Sequence, residues 1–220
     1  KDQEIPKLKN GIPVIYPEEY ETTYTTKNKG DILFRPVKMT DEKQIQDLYY
    51  NLNKRDRIMR FFSPKKTFTH SEILPKVVCD YQTNFILVGV KQEEEIDKEK
   101  IVALGGYYLN ENTNLAEIAF TVTKDYRNQG LTKFMTKYLI RIAQEKGISG
   151  FNGFILKDNP AMLHIIQSLP YEITIKSHMD EYEFQFLFSS KKEEKEEEQQ
   201  HEKPIKSSQE KQQEDNKDNK

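Results

Sequence analysis

The chain of 220 residues contains a single cysteine, Cys79, so no internal disulfide can form. That fits a reducing, cytoplasmic setting. Cys79 lies in a helical pattern among apolar neighbours and reads as buried. The four histidines, His70, His164, His178 and His201, are scattered. No His/Cys cluster has metal-ligand spacing, so no metal centre is expected. No apolar run approaches the length of a membrane span, and no signal-peptide pattern opens the chain. A membrane partner is therefore not expected. The sequence starts on Lys1 rather than Met, which reads as a fragment or a processed chain.

A basic excess is missing too. Residues 190–220 hold 8 of the 34 lysines and arginines and 10 of the 36 acidic residues, leaving 26 of each elsewhere. A neutral core has no charge surplus to drive nucleic-acid binding, and no nucleic-acid partner is expected. In 190–220 Ile205 is the only aliphatic or aromatic residue. Such a segment cannot bury enough apolar surface to offset chain entropy, and it reads as a disordered, solubilising tail.

Residues 1–30 carry Pro6, Pro13 and Pro17 with little periodicity. They read as an extended linker that ends in a short strand, with a turn at Asn28–Gly30. The regular part is expected over 31–189. Its pattern predicts strand 32–37, helix 41–52 and a short helix near 55–61. "THSE" at Thr69–Glu72 is a capping box opening a helix to about Asp80, with a kink or split expected at Pro75. Strands follow at 85–91, 101–109 and 115–123. The charged "KQEEEIDKEK" between the first two reads as a solvated hairpin loop. Leu131, Phe134, Met135, Tyr138, Leu139, Ile142 and Ala143 form one stripe of a helix over 130–146. Strand 151–156, a helix from about Asn159 to Ser168, and a hairpin near 171–178 and 181–188 complete the pattern. Strands and helices mix without regular alternation, so an α/β fold is expected: a mixed sheet with helices on both faces.

One handover from strand to helix stands out. In "TVTKDYRNQGLTKFM", Arg127, Asn128, Gln129 and Gly130 separate a β-prone run from the amphipathic helix. A helix start offers unpaired N–H groups and a positive dipole end, which suit an anion. Gly130 lets the backbone approach closely, and Thr132 is small. Lys133 is a cation in a first turn, where cations are mildly unfavourable; a bound phosphate would account for it. An ordinary strand–turn–helix corner accounts for the same residues equally well on spacing alone.

"YRNQGLTKFMTKYLIRIAQEKG" resembles the acyl-CoA turn of the GNAT superfamily of N-acetyltransferases. That turn has Arg or Gln, two residues, Gly, one residue, then Gly or Ala. Arg127 and Gly130 match; Thr132 departs at the last position. "LKDNPAML" resembles the second motif of the superfamily, with Asn159 at the asparagine that contacts the pantetheine arm. "RPVKMTDEKQIQDLYYNL", "RFFSPKKTFTHSEI" and "DYQTNFILVGV" narrow the resemblance to bacterial protein lysine acetyltransferases, whose domains are often fused to acyl-CoA synthetase-like subunits. "YPEEYETTYT" resembles the segment joining such a domain to an acetyl-CoA hydrolase/transferase domain. The resemblance implies a mostly antiparallel twisted sheet of about six to seven strands. It implies acetyl-CoA as co-substrate, no metal, a protein lysine as acceptor and a fused upstream neighbour. The backbone N–H groups of Asn128, Gln129, Gly130, Leu131 and Thr132 would hold the pyrophosphate, and a strand N–H near Val122 would polarise the thioester carbonyl. At the position where many GNAT enzymes carry a proton-donating tyrosine stands Ile166. Tyr126 and Tyr171 lie nearby but do not match by position.

In "LAEIAFTV", alternation puts Ile118, Phe120 and Val122 on one face, read as core, and Glu117, Ala119, Thr121 and Thr123 on the other. Small residues beside one carboxylate leave room for a slender ligand. An amine must lose a proton to attack a thioester, and partial burial would suit Glu117 to accept it. The resemblance places the catalytic base there. The alternative is a Glu117 ion-paired to Arg35 or Lys100. Two further readings stay open: a domain that only senses acyl-CoA, and an acetyltransferase of small amines.

Overall fold

A computed structural model describes residues 14–93 and 99–191. Residues 1–13 of the expected linker, 94–98 of the charged loop and 192–220 of the expected tail lie outside the described residues. Eight strands form one sheet: β1 (Thr22–Thr25), β2 (Asp31–Pro36), β3 (Asn84–Gln92), β4 (Glu99–Asn110), β5 (Leu115–Val122), β6 (Gly150–Leu156), β7 (Thr174–Ser177) and β8 (Glu181–Leu187). Their order is β1-β2-β3-β4-β5-β6-β8-β7. Every neighbouring pair is antiparallel except β5 and β6. The parallel pair needs a crossover, and the helix α4 (Leu131–Glu145) supplies it.

The eighth strand is the short one expected at the end of the N-terminal segment. Three threonines and a tyrosine suit a half-exposed edge, and β1 pairs with all but the last residues of β2. Tyr20, just before it, is buried edge-on against Phe85. The charged loop is shorter than expected, because Gln92 and Glu99 already face each other across the β3–β4 hairpin.

The remaining helices are α1 (Glu42–Tyr50), α2 (Lys54–Phe61), α3 (His70–Val77) and α5 (Pro160–Gln167). The Thr69–Glu72 capping box is formed, with the Thr69 N–H donating to the Glu72 carboxylate over 2.9 Å. Of the kink or split expected at Pro75, the split does not occur: α3 runs through Pro75 as one helix. Side chains of Tyr107 and Tyr108 point to opposite faces. Tyr107 stacks on Phe85, on the face where Met135 of α4 packs against Gly105 and Phe120. Lys76 of α3 lies over Tyr108 on the other face. The central strands β3 and β4 are buried on both sides. Beneath the first helices Arg35 makes a bidentate pair with Asp41 at 2.7 and 2.9 Å, both side chains buried.

Candidate active site

The turn after β5 is built from backbone. A single 3₁₀ turn (Lys124–Tyr126) follows the strand, then Asn128 and Gly130 take the left-handed conformation at φ 59° and 84°. Gly130 caps α4 with no side-chain acceptor on the first N–H groups, and the first turn of α4 holds no acidic residue. An anion at that end therefore meets free donors and no competing carboxylate on the helix. Tyr24 pins the turn from β1: its hydroxyl donates to the Gln129 carbonyl at 3.0 Å, and its ring packs 4.8 Å from Phe134. A side chain on Gly130 would collide with that hydroxyl.

The strands beside the turn separate. β5 and β6 share three register positions, the last being Glu117 with Asn152, and then run on unpaired. The Thr123 N–H donates to Val102 on β4, so by alternation the N–H groups of Phe120 and Val122 face the gap instead. A cleft of about 920 Å³ runs from this gap to the turn. Val122, Arg127, Asn128, Gln129, Gly130, Leu131, Thr132, Lys133 and Asn159 all line it. Phe120 and Val122 are half-buried: they pack against the core and also wall the cleft.

Five cations (Lys27, Arg55, Arg60, Arg127, Lys133) face two carboxylates (Asp56, Asp158) around the cleft. In a chain of net charge −2, that local surplus favours an anionic ligand. Arg127 is ion-paired to Asp56 of α2 at 2.6 Å. Asn159 caps α5 by accepting from the Met162 N–H at 3.2 Å. Three buried polar atoms among the lining residues have no protein partner, the Arg60 Nε, the Thr121 hydroxyl and the Gln129 side-chain oxygen. Unpaired N–H groups in the gap, free donors at the helix start and a cationic lining fit an extended ligand ending in phosphates, as coenzyme A does.

Glu117 stands apart. It is exposed, does not line the cleft, and lacks the partial burial expected of it. Its place on β5 is at the parting of the strands, level with Tyr108 on β4 and Asn152 on β6. The alternative pairing fails as well: Arg35 is committed to Asp41 and Glu99, and no ion pair joins Glu117 to Lys100 among the described residues. Ile166 is fully buried, and Tyr171 is stacked on Phe186 away from the cleft. Tyr126 does line the cleft, at the turn end. Cys79 is buried as expected, and burial pushes its thiol up to about 12, so it is no nucleophile at neutral pH.

The model of the acetyltransferase (GNAT) family matches residues 55–169, just over half of the chain. The chain belongs to the GNAT acetyltransferase family. A stretch of 58 residues is 41% identical to acetyltransferase Pat of Mycolicibacterium smegmatis, covering 26% of this chain and only 17% of that protein. The crystal structure of the GNAT domain of S. lividans PAT superposes with a TM-score of 0.69 at 18% identity, over 79% of this chain and 99% of that one. Spermidine N-acetyltransferase from Vibrio cholerae, solved with CoA and spermine, gives a TM-score of 0.57 at 13% identity, over 72% and 96%. At these identities the structures establish the fold. The eight-stranded GNAT sheet exceeds the expected six to seven because β1 joins it. No group of acidic, His and Cys residues among the described residues could hold a metal, and no helix there is long and apolar enough to cross a membrane.

Sequence reasoning missed the far wall of the cleft. Tyr24, Asp56 and Arg60 come from β1 and α2, long before the motif. Asp56 and Arg60 are four apart on one helix face, a spacing that marked them as neighbours but not as neighbours of the turn.

Proposed function

We propose that the protein is an acetyl-CoA-dependent N-acetyltransferase whose acceptor is a lysine of another protein. The observation that carries the reading is the parting of β5 and β6 directly above a helix start with free donors. The N–H groups of 128–132 bind the pyrophosphate, and Lys133 and Arg127 add charge. The gap-facing N–H of Val122 polarises the thioester carbonyl. Asn159 contacts the pantetheine arm. Acetyl-CoA supplies the activated acetyl thioester.

Glu117 accepts the amine proton. Thr121 lies four positions along on the same strand face, roughly 13 Å at strand rise, so the proton passes along a chain of waters. The open face around Glu117 suits a lysine presented by a large partner better than a small amine, which would need an enclosed pocket. The resemblance of the segment around Tyr16–Thr25 extends the proposal to a fused CoA-handling neighbour upstream.

A second reading, an acyl-CoA sensor without transfer, draws on the exposure of Glu117 and the apolar Ile166. Acetyl transfer to a lysine peptide by wild type and Glu117→Gln separates the two. The variant should bind acetyl-CoA as before and transfer roughly 10²–10⁴-fold more slowly. Equal rates would remove Glu117 as base. Binding without any transfer by wild type would favour the sensor.

A further inference from the structure

Three of the exposed large apolar side chains lie on the same side of the sheet as Glu117. Tyr108 (37% exposed) is its register partner on β4. Phe154 (45%) shares a face with Asn152, its partner on β6, two residues beyond the last rung. Phe62 (45%) stands edge-on to Phe154, with ring centroids 6.5 Å apart. Phe62 also ends α2 in the left-handed conformation at φ 56°, one that bulky side chains rarely adopt. None of these rings lines the cleft. By register they share the face of the sheet that carries the carboxylate.

The Tyr108 ring already carries the Lys76 amine, 5.8 Å from its centre, so an incoming lysine meets the Glu117 carboxylate rather than that ring. Beyond Glu117 the surface turns apolar toward Phe154 and Phe62. We propose that this patch reads the acceptor sequence: it seats an extended segment whose lysine passes Glu117 toward the gap between β5 and β6 and whose neighbour two positions away is aromatic or branched apolar. The spacing follows from strand geometry. Residues i and i+2 of an extended chain share a face about 7 Å apart, close to the diagonal from Glu117 to Phe154 across the last rung. The inference rests on the lysine-acetyltransferase reading.

The test uses two short peptides with one lysine each, one carrying Phe and the other Ala two positions from the lysine on both sides. Wild type should favour the Phe peptide by roughly tenfold in kcat/KM, the size of one good aromatic contact. Phe62→Gly combined with Phe154→Thr should erase that preference. The KM for acetyl-CoA, the rate with the Ala peptide and Tm should stay near wild type, since glycine suits the left-handed position. A preference that survives the double substitution, or is absent in wild type, overturns the patch and leaves the acetyltransferase reading standing. Transfer to small amines but to neither peptide overturns both.

Discussion

Gly130 and Tyr24 should be energetically coupled, and the size of the coupling follows from their geometry. Gly130 sits at φ 84°, where an alanine costs about 1–2 kcal/mol. The new methyl group also displaces the Tyr24 hydroxyl, which then loses its 3.0 Å bond to the Gln129 carbonyl, worth about 1 kcal/mol. Gly130→Ala should therefore cost about 2–3 kcal/mol, or roughly 5–10 °C in Tm for a domain of this size. Tyr24→Phe alone should cost about 1 kcal/mol, the bond alone. In the double variant the clash is gone, because the nearest remaining ring atom would be 3.5 Å away, an ordinary contact. The hydrogen bond is lost only once. The double variant should thus match Gly130→Ala, giving a coupling of about 1 kcal/mol, above the ~0.5 kcal/mol scatter of independent sites. Urea denaturation of the four proteins measures it. Strict additivity, with the double variant the least stable by the full sum, would show that Tyr24 does not hold this turn.

The buried Thr121 hydroxyl has no protein partner, so Thr121→Val should raise stability by about 1 kcal/mol; a loss instead would mean that the hydroxyl is bonded through water. Lys76 has its amine pushed down to about 8 from an ordinary 10.5, first by burial and then by the charges of Arg60 and Lys65. Between those values the unfolded chain holds the proton that the folded one has released, so wild-type stability should rise as pH goes from 8 to 10.5. Lys76→Met should lack that rise and show its largest advantage at pH 7; parallel denaturation profiles at pH 7 and 10 would refute the assignment.

The periodic elements were legible because each reports its own burial. The α4 stripe from Leu131 to Ala143 placed the helix within a residue or two at each end. The turn was legible because its conformation needs glycine at one position. What sequence could not carry was who sits opposite. Tyr24 reaches Gln129 across 105 residues with nothing in "ETTYTT" to say so. Period-two alternation put Glu117 on the right face of β5, yet its exposure depends on where the helices over that face stop. The same alternation placed Phe120 and Val122 in the core. They do pack against it, and they also wall the cleft, because β6 leaves β5 after Glu117.

That departure also gives the sheet a mechanical seam. Five strands lie on one side of it and three on the other, joined through three rungs, the bonds of Asn114 to Gly147 and Ser149 at their root, and the α4 crossover. A rigid plate of β6, β8 and β7 pivoting on so short a joint changes the width of the gap at its root and moves most at its outer edge. A wedge held between β5 and β6 is thereby felt farthest away, at β7, where a small change of angle has the longest lever.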